Sequence, residues 1–316
     1  MEAPAPSLPF ASTYRVVVGR DDGFPVEMAC ADNGNLSAEC TLLMLHGLFD
    51  HKGTWELMQP FLGERFRTVA LDLVGFGESS RPRFRSLPEH ERYCLDRMAA
   101  YVGEFIRVLE LDRLILVGNS LGGAIALRLA CSDPQERPWG AGLDLRGLVL
   151  ISAVGYPQRL PGFVPLLAGK PGALLLNPNL QRLAVASGLA RRFAGSTYSR
   201  IFFDPGRIPE GLVDRAVEYF AMPGTPFSYR MTVRNLTPPD IDTFTDRYPG
   251  MPLPALIVWG RQDRIVPALN ALRFEADLPA AKLHVFDDCG HVPHLEYPEE
   301  TAVAIRDWIR HDINSD

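Results

Sequence analysis

The chain has 316 residues, of which 47% are hydrophobic and 22% charged, with a formal net charge of −6. That composition excludes a disordered or low-complexity chain, because such chains lack the apolar residues to build a core. The acidic balance, with a pI near 5.7, argues against a nucleic-acid binder, which carries a basic excess or stripe.

The first forty residues read as strand material. Residues 14–18 are rich in β-formers, Asp21-Asp22-Gly23 is a turn, and 26–31 follow as a second strand. Residues 41–45 form a short apolar run ending at His46-Gly47, and 68–73 form another; both suit buried strands. Between them 54–62 reads as a short helix with Thr54 at its N-cap. Residues 93–109 place Leu95, Met98, Ala99, Val102, Ile106 and Leu109 at helical spacing, which marks an amphipathic helix. A strand is expected at 114–117, a helix at 121–131 and a strand at 148–152. From about 156 to 248 the β signal stops. Stretches such as 179–190 and 211–220 look helical there, between proline-rich loops. The alternation resumes with a strand at 253–259, a helix at 268–277, a strand at 282–286 and a closing helix at 299–310. Strands alternating with helices predict an α/β fold, with a mostly parallel central sheet and helices on both faces. The middle reads as an inserted helical cap over 156–248, in a core domain made of 1–155 and 249–316.

Five cysteines, an odd number without a CxxC pair, give neither a disulfide framework nor a zinc site. Residues 1–10 lack the basic and apolar regions of a secretory signal, and no apolar run reaches transmembrane length. Reduced thiols, a cytoplasmic location and no stable membrane insertion are the expectation. Arg81, Arg83 and Arg85 read as a solvated loop.

Val117-Gly118-Asn119-Ser120-Leu121-Gly122-Gly123 carries the main chemical signal. It fits G-x-S-x-G and lies between a predicted strand and a predicted helix, the setting of a nucleophile elbow. A sharp turn lifts the Ser120 hydroxyl above the sheet, small neighbours at Gly118 and Gly122 let strand and helix approach, and the helix N-terminus favours a developing anion. A serine hydroxyl needs a base. Of the histidines that follow, His291 lies on a loop after a strand and before the last helix, at the sheet edge expected for Ser120. His284 falls within a strand, His311 in a charged stretch, and His294 reads as a structural side chain of the loop. His291 and His294 have metal-like spacing but no third ligand nearby, so no metal is expected. Asp263 follows the strand 253–259 and supplies the orienting carboxylate. The loop after 148–152 has no carboxylate, and Asp287 and Asp288 are too close to His291 in sequence. The order Ser120, Asp263, His291 is that of α/β-hydrolase triads. The oxyanion hole would use the backbone N–H of Leu121 and that of Leu48, with Gly47 turning the backbone inward.

These residues resemble the α/β-hydrolase superfamily, in its serine carboxylesterase and monoacylglycerol-lipase-like members. The resemblance rests on His46-Gly47-Leu48-Phe49, on Asp72-Leu73-Val74-Gly75-Phe76-Gly77-Glu78-Ser79, on the elbow, on Trp259-Gly260-Arg261-Gln262-Asp263 and on Gly290-His291, in that order. It implies the α/β-hydrolase fold and an ester hydrolase that needs no cofactor. The serine at the elbow separates the chain from dehalogenases and epoxide hydrolases, which use aspartate. The loop Leu48-Phe49-Asp50-His51-Lys52 is similar to that of carboxylesterases, whereas the Gly118-Asn119-Ser120 elbow is shared with carbon–carbon hydrolases of the meta-cleavage type. The expected partner is a small apolar ester with a short to medium acyl chain. Apolar runs at 163–167, 173–176, 201–203 and 219–222 would dock the cap or line an acyl site. A non-catalytic ligand-binding protein of the same fold is the alternative of another class.

Overall fold

The computed structural model describes residues 12–131, 144–158, 162–174 and 177–313. The signal-peptide reading of 1–10 and the apolar residues Leu175 and Leu176 lie outside these. Among the described residues eight strands form one sheet: β1 (Ser12–Asp21), β2 (Phe24–Asp32), β3 (Thr41–Leu45), β4 (Arg67–Leu71), β5 (Leu114–Asn119), β6 (Leu145–Ile151), β7 (Ala255–Gly260) and β8 (Ala281–Phe286), in the spatial order β1-β2-β4-β3-β5-β6-β7-β8. β2 pairs antiparallel with both β1 and β4; the pairs from β4 to β8 are parallel.

Alternate residues of each central strand feed two cores. Leu43, Leu45, Leu114, Leu116 and Ile257 face one core, and Leu42, Met44, Ile115, Val117 and Leu256 the other. Burial on both faces is why these strands read as unbroken apolar runs. Helices α1 (Gln59–Leu62), α2 (Leu95–Val108) and α3 (Leu121–Ala130) precede β6. Among the described residues seven more lie between β6 and β7: α4 (Phe163–Ala168), α5 (Lys170–Leu174), α6 (Pro178–Ala186), α7 (Leu189–Ile201), α8 (Leu212–Ala221), α9 (Thr225–Arg234) and α10 (Ile241–Phe244). The chain closes with α11 (Leu269–Asp277), α12 (Pro293–Glu296) and α13 (Pro298–Trp308). Phe105, Ile125 and Phe274, on α2, α3 and α11, fill the first core; Leu62, Ile305 and Trp308, on α1 and α13, fill the second.

Two local expectations change. The helix expected at 54–62 is a 3-10 turn, Lys52–Trp55, capped by the His51 side chain, followed by the separate α1, so Thr54 is not an N-cap. Its hydroxyl instead donates to the His51 carbonyl and the Asp50 carboxylate. The helix expected at 179–190 divides into α6 and α7 at Gly188, whose φ of 74° is the left-handed conformation that ends a helix.

The topology also locates a crevice. β3 connects forward to β4 on one side, while β5 lies on its other side. In parallel sheets ligands bind at such a reversal, outside the carboxyl ends of the strands. The two chain segments leaving that point begin at His46 and at Ser120.

Candidate active site

Ser120 sits between β5 and α3 with φ 52° and ψ −110°, a conformation that L-residues rarely adopt. Backbone bonds hold it there: its N–H donates to Ile151 O at 3.0 Å, and its carbonyl accepts from Val154 N–H at 3.1 Å. The side chain makes no capping bond to α3. Close approach dictates the flanking glycines. A Cβ on Gly122 would stand 2.0 Å from Leu45 O, and one on Gly118 would stand 2.4 Å from Gly122 carbonyl atoms. Strand β3, strand β5 and helix α3 can therefore meet only with glycine at both positions.

His291 Nδ1 and Asp263 Oδ2 are 2.8 Å apart, with the Asp263 side chain fully buried and that of His291 6% exposed. Asp263 follows β7, and its other oxygen accepts from Ile265 and Val266 N–H at 2.8 and 2.9 Å. Those bonds set the carboxylate plane before the imidazole meets it. His291 lies against the elbow, because Asn119 Nδ2 donates to His291 O at 3.3 Å and to Ile151 O at 3.1 Å. With Nδ1 engaged by Asp263, Nε2 is the ring nitrogen that this carboxylate leaves free.

The loop after β3 is ordered by a histidine. His46 is fully buried; Leu73 N–H donates to its Nε2 at 3.0 Å, so the ring proton is on Nδ1 and goes to Gly47 O at 2.7 Å. Burial lowers the His46 pKa and keeps the ring neutral. A trans peptide points its N–H opposite its carbonyl, so pinning Gly47 O turns Leu48 N–H away from the His46 ring. Gly47 is not the residue that turns the chain; the left-handed residue here is Phe49, with φ 65°. Gly47 is needed for proximity, since a Cβ there would lie 3.0 Å from Asn119 Oδ1 and 3.4 Å from Ser120 Cβ. Leu121, the first residue of α3, has an N–H with no intrahelical acceptor four residues earlier.

Asp72 ties this loop to the segment after β4. Its carboxylate accepts Lys52 N–H at 2.6 Å, Lys52 Nζ at 3.0 Å and Glu78 N–H at 2.8 Å, while Glu78 Oε2 also holds Lys52 Nζ. Burial works against the Lys52 charge, but the two carboxylates outweigh it and raise its pKa. Asp72 and Glu78 belong to the quoted motif; their shared partner, twenty residues upstream of Asp72, had no signal in it.

Other expectations resolve side by side. His294 is fully buried and stacks on Trp55 with ring centroids 4.5 Å apart, and burial lowers its pKa to about 3. Arg81 is not solvated. It donates to Gly77 O, to Ser79 O, to Thr225 Oγ1 at 2.8 Å and to Met222 Sδ, joining the 72–79 segment to α8–α9; Arg83 and Arg85 are exposed. Of the apolar runs, Phe202 packs on Val292 and Leu295, and the Tyr219 ring lies tilted against His51 with centroids 5.0 Å apart. Sequence reasoning missed Glu296. Its Oε1 accepts Gly290 N–H at 2.7 Å, and its Oε2 accepts Phe203 and Asp204 N–H at 2.9 and 3.3 Å. Its place five residues after His291 was visible; its reach into the helical segment was not.

Comparison with known proteins adds a family. A model described as the alpha/beta hydrolase family matches residues 42–304. A 2-hydroxy-6-oxo-2,4-heptadienoate hydrolase of Pseudomonas putida is 28% identical over 255 residues, 81% of this chain and 82% of that protein. Among solved structures, a bacterial membrane phospholipase A is 26% identical with a TM-score of 0.70, covering 96% of this chain and 87% of that one. An esterase from Thermogutta terrifontis is 21% identical with a TM-score of 0.72, covering 96% and 100%, and shows likeness of fold.

Proposed function

Because the chain belongs to the alpha/beta hydrolase family, we propose that it is a serine hydrolase that cleaves carboxylic esters through an acyl-enzyme. The observation that carries this reading is the buried His291–Asp263 pair, 2.8 Å apart, packed against the strained elbow of Ser120. His291 Nε2 takes the Ser120 proton as Oγ attacks the ester carbonyl. Asp263 holds the imidazole tautomer and stabilises the imidazolium. The N–H groups of Leu48 and Leu121 receive the oxyanion. His291 then protonates the leaving alcohol and activates water for deacylation. The helical segment 156–248 serves as the cap over this site, and its apolar side chains favour short to medium acyl chains.

A second reading, carbon–carbon hydrolysis, is favoured by the Gly118-Asn119-Ser120 elbow and by the heptadienoate hydrolase relative. Three cations beside these loops are already engaged. A dienoate carries a carboxylate that calls for a free cation. Lys52, Arg81 and Arg215, which border the loops after β3 and β4, are engaged by Asp72 and Glu78, by Gly77 O, Ser79 O and Thr225, and by Glu56. Asp50 adds a carboxyl group on the same loop. Asn119, the residue shared with carbon–carbon hydrolases, uses its amide N–H to bind Ile151 and His291 carbonyls.

The test is a p-nitrophenyl ester series from acetate to laurate, beside a vinylogous 1,5-diketone dienoate. Wild type is expected to turn over the shorter esters, with kcat reduced at least about 1,000-fold in Ser120→Ala. Faster turnover of the dienoate would establish the second reading. Failure of a fluorophosphonate to label Ser120, with no turnover of either class, would leave a binding protein.

A further inference from the structure

The helices between β6 and β7 carry a charge pattern that hydrolysis does not use. The chain has 38 acidic residues, yet none lies between Asp144 and Asp204, while seven lysines and arginines do. Exposed apolar side chains gather in the same stretch. Leu180 is 40% exposed, Leu183 62%, Leu189 61% and Phe193 45%, on the adjoining helices α6 and α7. Single exposed apolar residues are ordinary on a protein surface. Four within two short helices, set among basic residues, form a patch that calls for a partner.

The inner sides of both helices are already occupied. Gln181 and Ala184 of α6 are buried, with Gln181 Nε2 donating to Phe220 O at 2.5 Å. On α7, Tyr198 is buried, and Arg191, on the same inner side, pairs with Asp214 of α8. Leu189, Arg192, Phe193 and Arg200 recur at helical spacing on the opposite, outer side. Arg182, Arg192 and Arg200 are exposed and take part in no ion pair among the described residues.

We propose that the outer face of α6 and α7 docks reversibly on an anionic lipid bilayer. Leucine and phenylalanine enter the boundary between headgroups and acyl chains, and the arginines meet lipid phosphates. The charge distribution selects this partner. The acidic excess lies in the rest of the sequence, so an anionic surface favours this basic stretch over the remainder of the chain. No helix among the described residues is long and apolar enough to cross a membrane, which fits peripheral contact. α7 also ends on the candidate site. Ile201 O accepts His291 N–H at 2.8 Å, and Phe202 packs on Val292 and Leu295. Docking therefore brings the His291 loop close to the bilayer. Its use for delivering apolar esters rests on the ester reading; the docking itself does not.

The experiment is sedimentation of the full chain with vesicles of phosphatidylglycerol mixed with phosphatidylcholine, and with phosphatidylcholine alone. Wild type is expected to sediment with the mixed vesicles, to prefer them over the neutral ones, and to be released by salt. Neutralising two charges, in Arg192→Gln/Arg200→Gln, should lower partitioning about 30-fold, from the energy of a basic side chain near an anionic leaflet. Leu183→Ser/Leu189→Ser/Phe193→Ser should abolish sedimentation while thermal unfolding by circular dichroism stays cooperative. Equal binding to both vesicle types, variants that bind like wild type, or no binding at low salt would overturn the proposal. So would a dimer that the triple variant splits without any effect of lipid.

Discussion

His46 orders the candidate site through the backbone: one ring nitrogen accepts from Leu73, the other donates to Gly47, and the Leu48 peptide is oriented as a result. Asp50, four residues on, is the contrary case. Its Oδ2 accepts from Thr54 at 3.1 Å, its Oδ1 has no partner, and burial pushes its pKa up to about 7. The sign of the consequence follows from linkage. The folded chain holds the Asp50 proton more tightly than the unfolded chain does, so folding loses stability as pH rises from the ordinary carboxylate range to about 7, and the loss is constant above that. Asp50→Asn should match wild type in acid. Above neutral pH it should be more stable by about 2 kcal/mol, after discounting for partial exposure. Unfolding midpoints across that range check this, and parallel curves for the two proteins would refute it.

The strands and most helices follow from the pattern of apolar residues, because a strand covered on both faces and a helix covered on one have different periods. The readings failed where a side chain or a left-handed glycine, rather than a period, decides. Thr54 has a capping residue's chemistry, but His51 supplies the cap and Thr54 bonds elsewhere. The three elements at the elbow are closely constrained. Gly122→Ala would set a methyl group against the Leu45 carbonyl, a backbone atom that cannot move without separating β3 from α3. It should destabilise the chain by roughly 3 kcal/mol or prevent folding. Urea unfolding reads this, and Gly195→Ala, at a helical glycine with open space around it, serves as the control expected to fold normally.

For the whole molecule, the sheet joins distant parts of the chain: strands from before and after the seven helices pair in one array, and those helices lie between β6 and β7 in sequence. Glu296 joins those helices to the His291 loop by accepting backbone N–H groups from both sides. Burial raises its pKa despite those bonds. Glu296→Ala would leave Gly290, Phe203 and Asp204 N–H groups without this acceptor, at about 2–4 kcal/mol. Amide exchange should quicken at 201–204 and 289–291 and stay unchanged in β3 and β5. Uniform acceleration would mean that Glu296 stabilises the molecule without coupling these two segments.

By itself the sequence determined the α/β alternation and offered Ser120, Asp263 and His291 as site candidates, because period, turn chemistry and residue type act over a few neighbours. Only the tertiary structure decided which groups meet across the chain. Lys52 finds Asp72, Arg81 turns from solvent to Thr225, Asn119 reaches the His291 carbonyl, and Glu296 receives Phe203 and Asp204. Each bond joins segments that come together only when the sheet closes, and a buried polar group takes whichever partner that closure brings within reach.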